Sequence, residues 1–313
     1  MSDLRVVNYI YAQKSTWDKF IDDSKNGTFM LKRGYMDYHS DRFRDMSLMF
    51  YEDDRLVALF PASLHNKEIR SHGGLTYGGI ITDRKMTTSR MLHVMQALTD
   101  FYRKNGISRI FYKRVPPIYY TYPSDEDLYA LFRFNARLYR RDVSSTVYIP
   151  DKIRFSELRK RKVKKANKCG LQVHQSHDFD TYVTLLTEVL QARHNAKPVH
   201  TAQELKLLAS RFQDAIKLYA AFQDDLMLAG VVIFDTPNVV HAQYIANSEK
   251  GREIGALDLV IDFLINTYSE NKLYFDFGIS TENEGLFLND GLIAQKEMFG
   301  GRAIVYDFYE INL

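Results

Sequence analysis

The sequence predicts a mixed α/β (α+β) protein made of two successive domains of similar fold, each a mixed central sheet flanked by helices. Three observations carry that expectation. At 313 residues the chain exceeds the size at which one hydrophobic core usually stops growing. Short strand-like apolar runs alternate with segments of 3.6-residue apolar period. The order of elements in the second half also repeats that of the first, without a residue-level repeat. The domains are expected over 1–150 and 151–313. Hydrophobic residues at 45% and charged residues at 26% exclude a disordered or fibrous chain.

In the first half, a strand is expected at 5–10, a helix at 16–23 and a short helix at 35–43. Strands follow at 47–51, at 56–63 after the turn Glu52-Asp-Asp-Arg55, and, broken by glycines, at 75–81. A helix over 87–105 stops at Gly106 and leads to a strand at 109–114, a helix at 125–134 and a strand ending at Ile149. After Pro150, the second half runs through a basic helix at 155–169, a strand at 171–175 and helices at 179–195 and 202–212. Strands at 216–222, 226–234 and 239–246, a helix at 255–268, a strand at 273–277, a helix before Gly300 and a closing strand at 303–311 complete it.

A net charge of +3 does not by itself call for nucleic acid. The single cysteine, Cys169, excludes an internal disulfide and Cys-rich metal sites. His174-Gln-Ser-His177 has no Cys or acidic partner at ligand spacing, so no metal is expected. No apolar run approaches a membrane span, and Met1-Ser-Asp-Leu-Arg5 lacks the pattern of a signal peptide. The expected location is cytoplasmic.

Chemistry concentrates in three segments. The strand ending at Tyr244, Ile245 and Asn247 enters Asn247-Ser-Glu-Lys-Gly-Arg-Glu-Ile-Gly-Ala256 and then a helix with apolar Leu257, Val260, Phe263 and Leu264. A glycine-bearing loop opening into a helix aims free N–H groups and the positive dipole end at one spot, which suits phosphate. Gly251 and Gly255 would admit close approach and Arg252 a charged fork, whereas the plainer reading is a glycine-capped connection. The second segment, Gly291-Leu-Ile-Ala-Gln-Lys-Glu-Met-Phe-Gly-Gly301, sets Lys296 between apolar residues in a strand, helix, strand frame. A lysine there either serves chemistry or offsets the dipole at a helix C-terminus. In the third, residues 152–168 carry nine Lys or Arg against Glu157, a run that either steers an anion or forms a solvated linking helix.

The element order with a phosphate-type loop after the fourth strand resembles the GNAT acyltransferase fold. Its pyrophosphate loop reads Arg/Gln-x-x-Gly-x-Gly/Ala, against Arg252-Glu-Ile-Gly255-Ala-Leu257 here, with the last small residue displaced to Ala256. Two copies in tandem resemble the FemABX branch and its polysaccharide-associated acyltransferase relatives. The markers are the basic stretch Leu158-Arg-Lys-Arg-Lys-Val-Lys-Lys-Ala-Asn-Lys-Cys-Gly-Leu171, the 291–301 segment, and Ser71-His-Gly-Gly-Leu-Thr-Tyr-Gly-Gly79. Gln295 stands where that branch typically has an aromatic residue.

The resemblance implies acyl transfer to an amine, with acetyl-CoA or another acyl-CoA as co-substrate and an amino sugar or cell-envelope polysaccharide precursor as acceptor. It implies Lys296 as the cationic stabiliser of the oxyanion, and Tyr244, Ile245, Asn247, Gly251, Arg252, Gly255 and Gln295 as the donor site in the second domain. The acceptor side falls to the first domain, where Tyr35, Tyr38, Arg42 and Tyr77 offer apolar faces with polar tips for a sugar. A tRNA-dependent aminoacyl transferase is the alternative donor class, less favoured because the basic run lacks interleaved aromatics. A binding protein that kept the fold without the activity is the rival of another kind.

Overall fold

The computed structural model describes residues 4–194 and 196–313. Asn195, where the sequence ends one helix, and the first three residues lie outside the described residues. The chain divides into two units, one comprising Met1–Asp142, Asn283–Phe287 and Val305–Leu313, the other Val143–Glu282 and Leu288–Ile304. The division falls at 142/143, inside strand Arg137–Tyr148. The closing strand, Arg302–Asn312, returns to the first unit because Phe308 through Asn312 pair antiparallel with Lys113 back to Arg109.

In the first unit, Leu4–Asn8, Leu48–Glu52, Arg55–Phe60 and Ile81–Thr82 form one antiparallel sheet in that order. Arg109–Lys113, Glu68–Arg70, Ser63–His65 and Arg44–Asp45 follow one another in a second. Helix Thr88–Lys104, capped by the Thr87 hydroxyl, buries Met91, Met95, Leu98 and Tyr102 against Phe50, Phe60 and Tyr112. The strand expected at 75–81 shrinks to Ile81–Thr82. Its glycine segment is held instead by the Lys113 ammonium, which donates to the carbonyls of His72 (2.8 Å) and Leu75 (2.5 Å). The helix expected at 35–43 is a single turn, Arg33–Met36, running into a 3-10 turn at Asp37–His39.

The second unit has the strand order Gln172–Ser176, Ile216–Gln223, Leu226–Asp235, Val239–Asn247, Tyr274–Ile279 and the 144–148 end of Arg137–Tyr148. All neighbours are antiparallel except Val239–Asn247 and Tyr274–Ile279. Period-two alternation sorts the side chains. Tyr219, Ala221, Val231, Ile233, Val240, Ala242, Phe275 and Phe277 pack under helices Glu157–Lys168 and Ala256–Thr267. Leu218 and Gly230 face Tyr182 of helix Phe179–His194 on the opposite side. The helix expected at 255–268 is preceded by a separate short one, Glu249–Ile254. Gly255 adopts φ +88° between them, a conformation costly for any residue with a Cβ.

Candidate active site

The site grows from a break in sheet pairing. Strands Val239–Asn247 and Tyr274–Ile279 pair in parallel only at Val239/Tyr274, Val240/Phe275 and His241/Asp276, although both continue beyond. Gly278, at φ +77°, bends the second strand away, and its antiparallel pairing with 144–148 shifts register between Asp276 and Ile279. The bend releases the carbonyls of Gly278 and Ile279 from the parallel ladder. Lys296 takes them both, its Nζ donating at 2.7 and 2.8 Å.

Lys296 lies in the last turn of helix Asp290–Glu297, whose first turn is capped by the Asn289 side chain accepting from Leu292 N–H (3.0 Å). It is 6% exposed. Burial lowers its pKa from 10.5 to about 8, opposed by the Asp276 carboxylate. An ammonium has three donors, and two are spent on carbonyls, so one remains for a partner in the adjacent cavity. That cavity, of about 370 Å³, is lined by Lys296, Gln295, Ile245, Asn247 and Arg252, with an apolar wall that includes Phe277 and Leu257.

The loop before the long helix is organised differently from the phosphate cradle the sequence suggests. Ser248 caps the short helix, with its Oγ accepting from Gly251 N–H (2.9 Å) and its carbonyl from Arg252 N–H (2.9 Å). Gly255 N–H donates to the Gly251 carbonyl (2.9 Å). These three amides are therefore already used. Both glycines serve packing. A Cβ on Gly251 would lie 2.5 Å from Asn247 Oδ1 and from the Leu228 carbonyl, and one on Gly255 would lie 2.5 Å from the Lys162 carbonyl.

The basic helix accounts for much of that closeness. Lys162 Nζ donates to the Arg252 carbonyl (2.6 Å) and Lys165 Nζ to the Glu253 carbonyl (3.0 Å), so both offset the C-terminus of the short helix. Arg159 pairs with the buried Asp258 (3.0 Å) and stacks on Phe299 (4.6 Å). Arg161, Lys164 and Lys168 remain exposed. Part of this run thus packs against the loop and the long helix, and part of it is a solvated face. Arg252 Nη1 donates to the Asn247 carbonyl (3.1 Å) at the cavity edge.

Of the donor residues expected from sequence, Ile245, Asn247, Arg252, Gln295 and Lys296 come together at the cavity, and Gly251 and Gly255 shape the loop beside it. Tyr244 is directed elsewhere. Its hydroxyl is hydrogen-bonded to His200 Nδ1 (2.5 Å), and burial pushes its pKa up to about 12. The acceptor candidates lie in the first unit. Tyr35 is buried, edge-on to Phe29 and Tyr38; Tyr38 stacks on His39 (4.1 Å between centroids); Arg42 is exposed beside Asp41 (3.9 Å). Tyr77 is buried against Tyr119, its hydroxyl donating to Thr28 Oγ1 (3.1 Å).

Sequence reasoning missed His241. It is the last parallel-paired residue before the strands part, and its Nδ1 lies 2.8 Å from the fully buried Asp276 carboxylate. Only strand register brings the two together, and no local signal predicts it. Among the described residues, no group of three or more His, Cys, Asp or Glu could hold a metal, and no helix is long and apolar enough to cross a membrane.

The comparisons with known proteins fit this geometry. Residues 154–284 match the family model of an acetyltransferase (GNAT) domain. Over the whole chain the fold is similar to that of FemX, with TM-score 0.70 and 10% identity, covering 99% of this chain and 97% of the other. It is also similar to the C-terminal domain of a putative lysylphosphatidylglycerol synthetase from Agrobacterium fabrum, with TM-score 0.65, 11% identity and coverage of 96% and 93%. A conserved protein of unknown function from Bacteroides thetaiotaomicron gives TM-score 0.61 at 10% identity, with 100% of each chain covered. No curated protein matches the sequence. The matched segment, 154–284, is thus of the acetyltransferase (GNAT) type. Beyond that segment, the chain shares its fold with FemX over nearly its whole length.

Proposed function

We propose that the protein is an N-acyltransferase that moves an acyl group, most simply acetyl, from acyl-CoA to an amine of an amino sugar or a cell-envelope polysaccharide precursor. The observation that carries this reading is the parting of two parallel strands over a cavity that presents a buried lysine. An acyl carbonyl entering there would meet the remaining N–H of Lys296. A cation at that point stabilises the oxyanion of the tetrahedral intermediate more strongly than it would in water. With its pKa at about 8, Lys296 is mostly cationic at neutral pH, as that role requires.

Acyl-CoA supplies an activated thioester and carries phosphates that need cations. The residues fit it through side chains, because Arg159, Lys162 and Arg252 line the cavity whereas the amides of Gly251, Arg252 and Gly255 are engaged within the loop. We assign the acceptor to the first unit, with Tyr38 and Arg42 the accessible members of its candidate set, and Tyr35 and Tyr77 supporting them from the interior. The engaged amides also favour a second reading, in which the donor is an aminoacyl ester of tRNA gripped by exposed cations such as Arg161 and Lys164.

Thermal unfolding with acetyl-CoA tests the first reading. A ligand at one hundred times its Kd stabilises the fold by about 2.7 kcal/mol. A rise in Tm that disappears in Arg252→Glu is expected. No shift at millimolar acetyl-CoA excludes that donor, and retention on charged tRNA that weakens steeply with salt would favour the ester donor instead.

A further inference from the structure

N-acyl transfer also needs somewhere for the amine's proton to go, and Lys296, holding two carbonyls with its N–H groups, does not provide it. We infer that His241 is the proton acceptor, held by Asp276 in the tautomer that keeps Nε2 bare. The inference rests on the acyltransfer reading and extends it to a residue which that reading does not use.

The tautomer follows from the partners of Asp276. Its Oδ1 accepts from the hydroxyls of Ser144 (2.5 Å) and Thr146 (3.2 Å) and from Gly278 N–H (3.2 Å), and its Oδ2 faces His241 Nδ1 at 2.8 Å. Three donors on Oδ1 and the nearby Lys296 ammonium all favour the anion, so Asp276 is taken as a carboxylate. Nδ1 must then carry a hydrogen. In a neutral ring this leaves Nε2 with its lone pair, and Nε2 makes no hydrogen bond among the described residues. The His241 side chain keeps 10% of its surface exposed, whereas that of Asp276 keeps none.

Position supports the role as strongly as tautomer does. His241 and Asp276 are the last pair before the strands part. A Cβ on Gly278 would lie 3.5 Å from His241 Cε1, so the ring sits over the residue whose carbonyl seats Lys296. Cation and base therefore flank one bend. The amine nitrogen's lone pair forms the C–N bond, the carbonyl π pair moves to oxygen, and a proton passes from nitrogen to Nε2. Collapse of the intermediate re-forms the carbonyl and expels the thiolate, which takes that proton from His241 and restores the enzyme.

Two measurements on the full chain test this. Nitrogen-15 NMR of the imidazoles, with the His241 signals assigned by their loss in His241→Gln, is expected to show Nδ1 protonated and Nε2 bare. A ring protonated at Nε2 alone overturns the inference whatever the substrate. With acetyl-CoA as donor and glucosamine as acceptor, thiol release is expected to fall by about 100-fold or more in His241→Ala. Stabilisation by acetyl-CoA should persist in that variant, and added imidazole should restore part of the rate. An unchanged rate in His241→Ala overturns the proton-acceptor role and leaves acyl transfer standing. No turnover by the unaltered chain counts against this donor and acceptor, and the NMR tautomer then decides the dyad alone.

Discussion

Replacing Lys296 by Met should have a stability effect whose size depends on pH. The fall of the Lys296 pKa from 10.5 to about 8 corresponds, at about 1.4 kcal/mol per pH unit, to about 3 kcal/mol of cost for the charged form in the fold. The unfolded chain holds this proton up to pH 10.5 and the folded chain only up to about 8. Between those values the unfolded state binds more protons, so folding stability rises with pH. Below pH 8 the whole cost is present. Methionine removes it, but leaves the Gly278 and Ile279 carbonyls without their donor, at about 1–3 kcal/mol each where water does not reach them. The two effects nearly cancel at pH 7. At pH 10.5 the cost of charge is gone, and the wild type should exceed the variant by about 3 kcal/mol more than it does at pH 7. Urea unfolding of both proteins at pH 7, 9 and 10.5 measures this, and taking the difference removes the other titrating groups. A difference that stays flat with pH would refute the buried, weakened ammonium and the seat that explains it.

His72 should make the first unit acid-sensitive. Burial, with His39 and Lys113 beside it, lowers its pKa to about 3, so stability present above pH 6.5 is lost as pH falls toward 3, by about 3 kcal/mol at pH 4.5. His72→Gln should lower the midpoint of acid unfolding followed by circular dichroism, and an unmoved midpoint counts against it. Gly255→Ala meets both a left-handed backbone and the Lys162 carbonyl, and should cost about 2 kcal/mol or more in urea unfolding. A neutral result would mean that the basic helix is not packed on the loop as described.

Much of the second unit was legible in its sequence because burial there follows short periods. The alternation of Leu218 and Ala220 with Tyr219 and Ala221 marks a strand covered on both faces, and Leu257, Val260, Ile261 and Leu264 mark the helix above it. The loop was half legible. Gly255 does end one helix and begin another, but Ser248 as a cap closes the turn before it and consumes the amides that a glycine-rich loop suggests. The glycine segment at 71–79 misled for a related reason, since its carbonyls are satisfied by Lys113, more than thirty residues away, and not by a sheet ladder. The setting of Lys296 was beyond reach. Its helix was readable, but its two carbonyls come from a bend in another strand, and the pairing of His241 with Asp276 depends on register across 35 residues.

That bend explains why the chemistry gathers where it does. Regular parallel pairing past Asp276 would close the space between the strands and engage the carbonyls that now face Lys296. The turn of Gly278 into φ +77° opens the gap, frees those acceptors and brings its own N–H to Asp276 Oδ1. One local distortion therefore creates the cavity, seats the cation and fixes the carboxylate that orients the imidazole. The components also constrain one another. Burial lowers the Lys296 pKa to about 8 and the Asp276 charge opposes that fall, while two carbonyls accept from its ammonium, and the Ser144 and Thr146 hydroxyls and the Gly278 amide converge on Asp276. A fold that had kept its shape and lost its chemistry would have no need to hold a lysine and a carboxylate in the interior, where burying either charge is costly. The presence of both at the one place where the sheet opens argues for a working transferase over a scaffold.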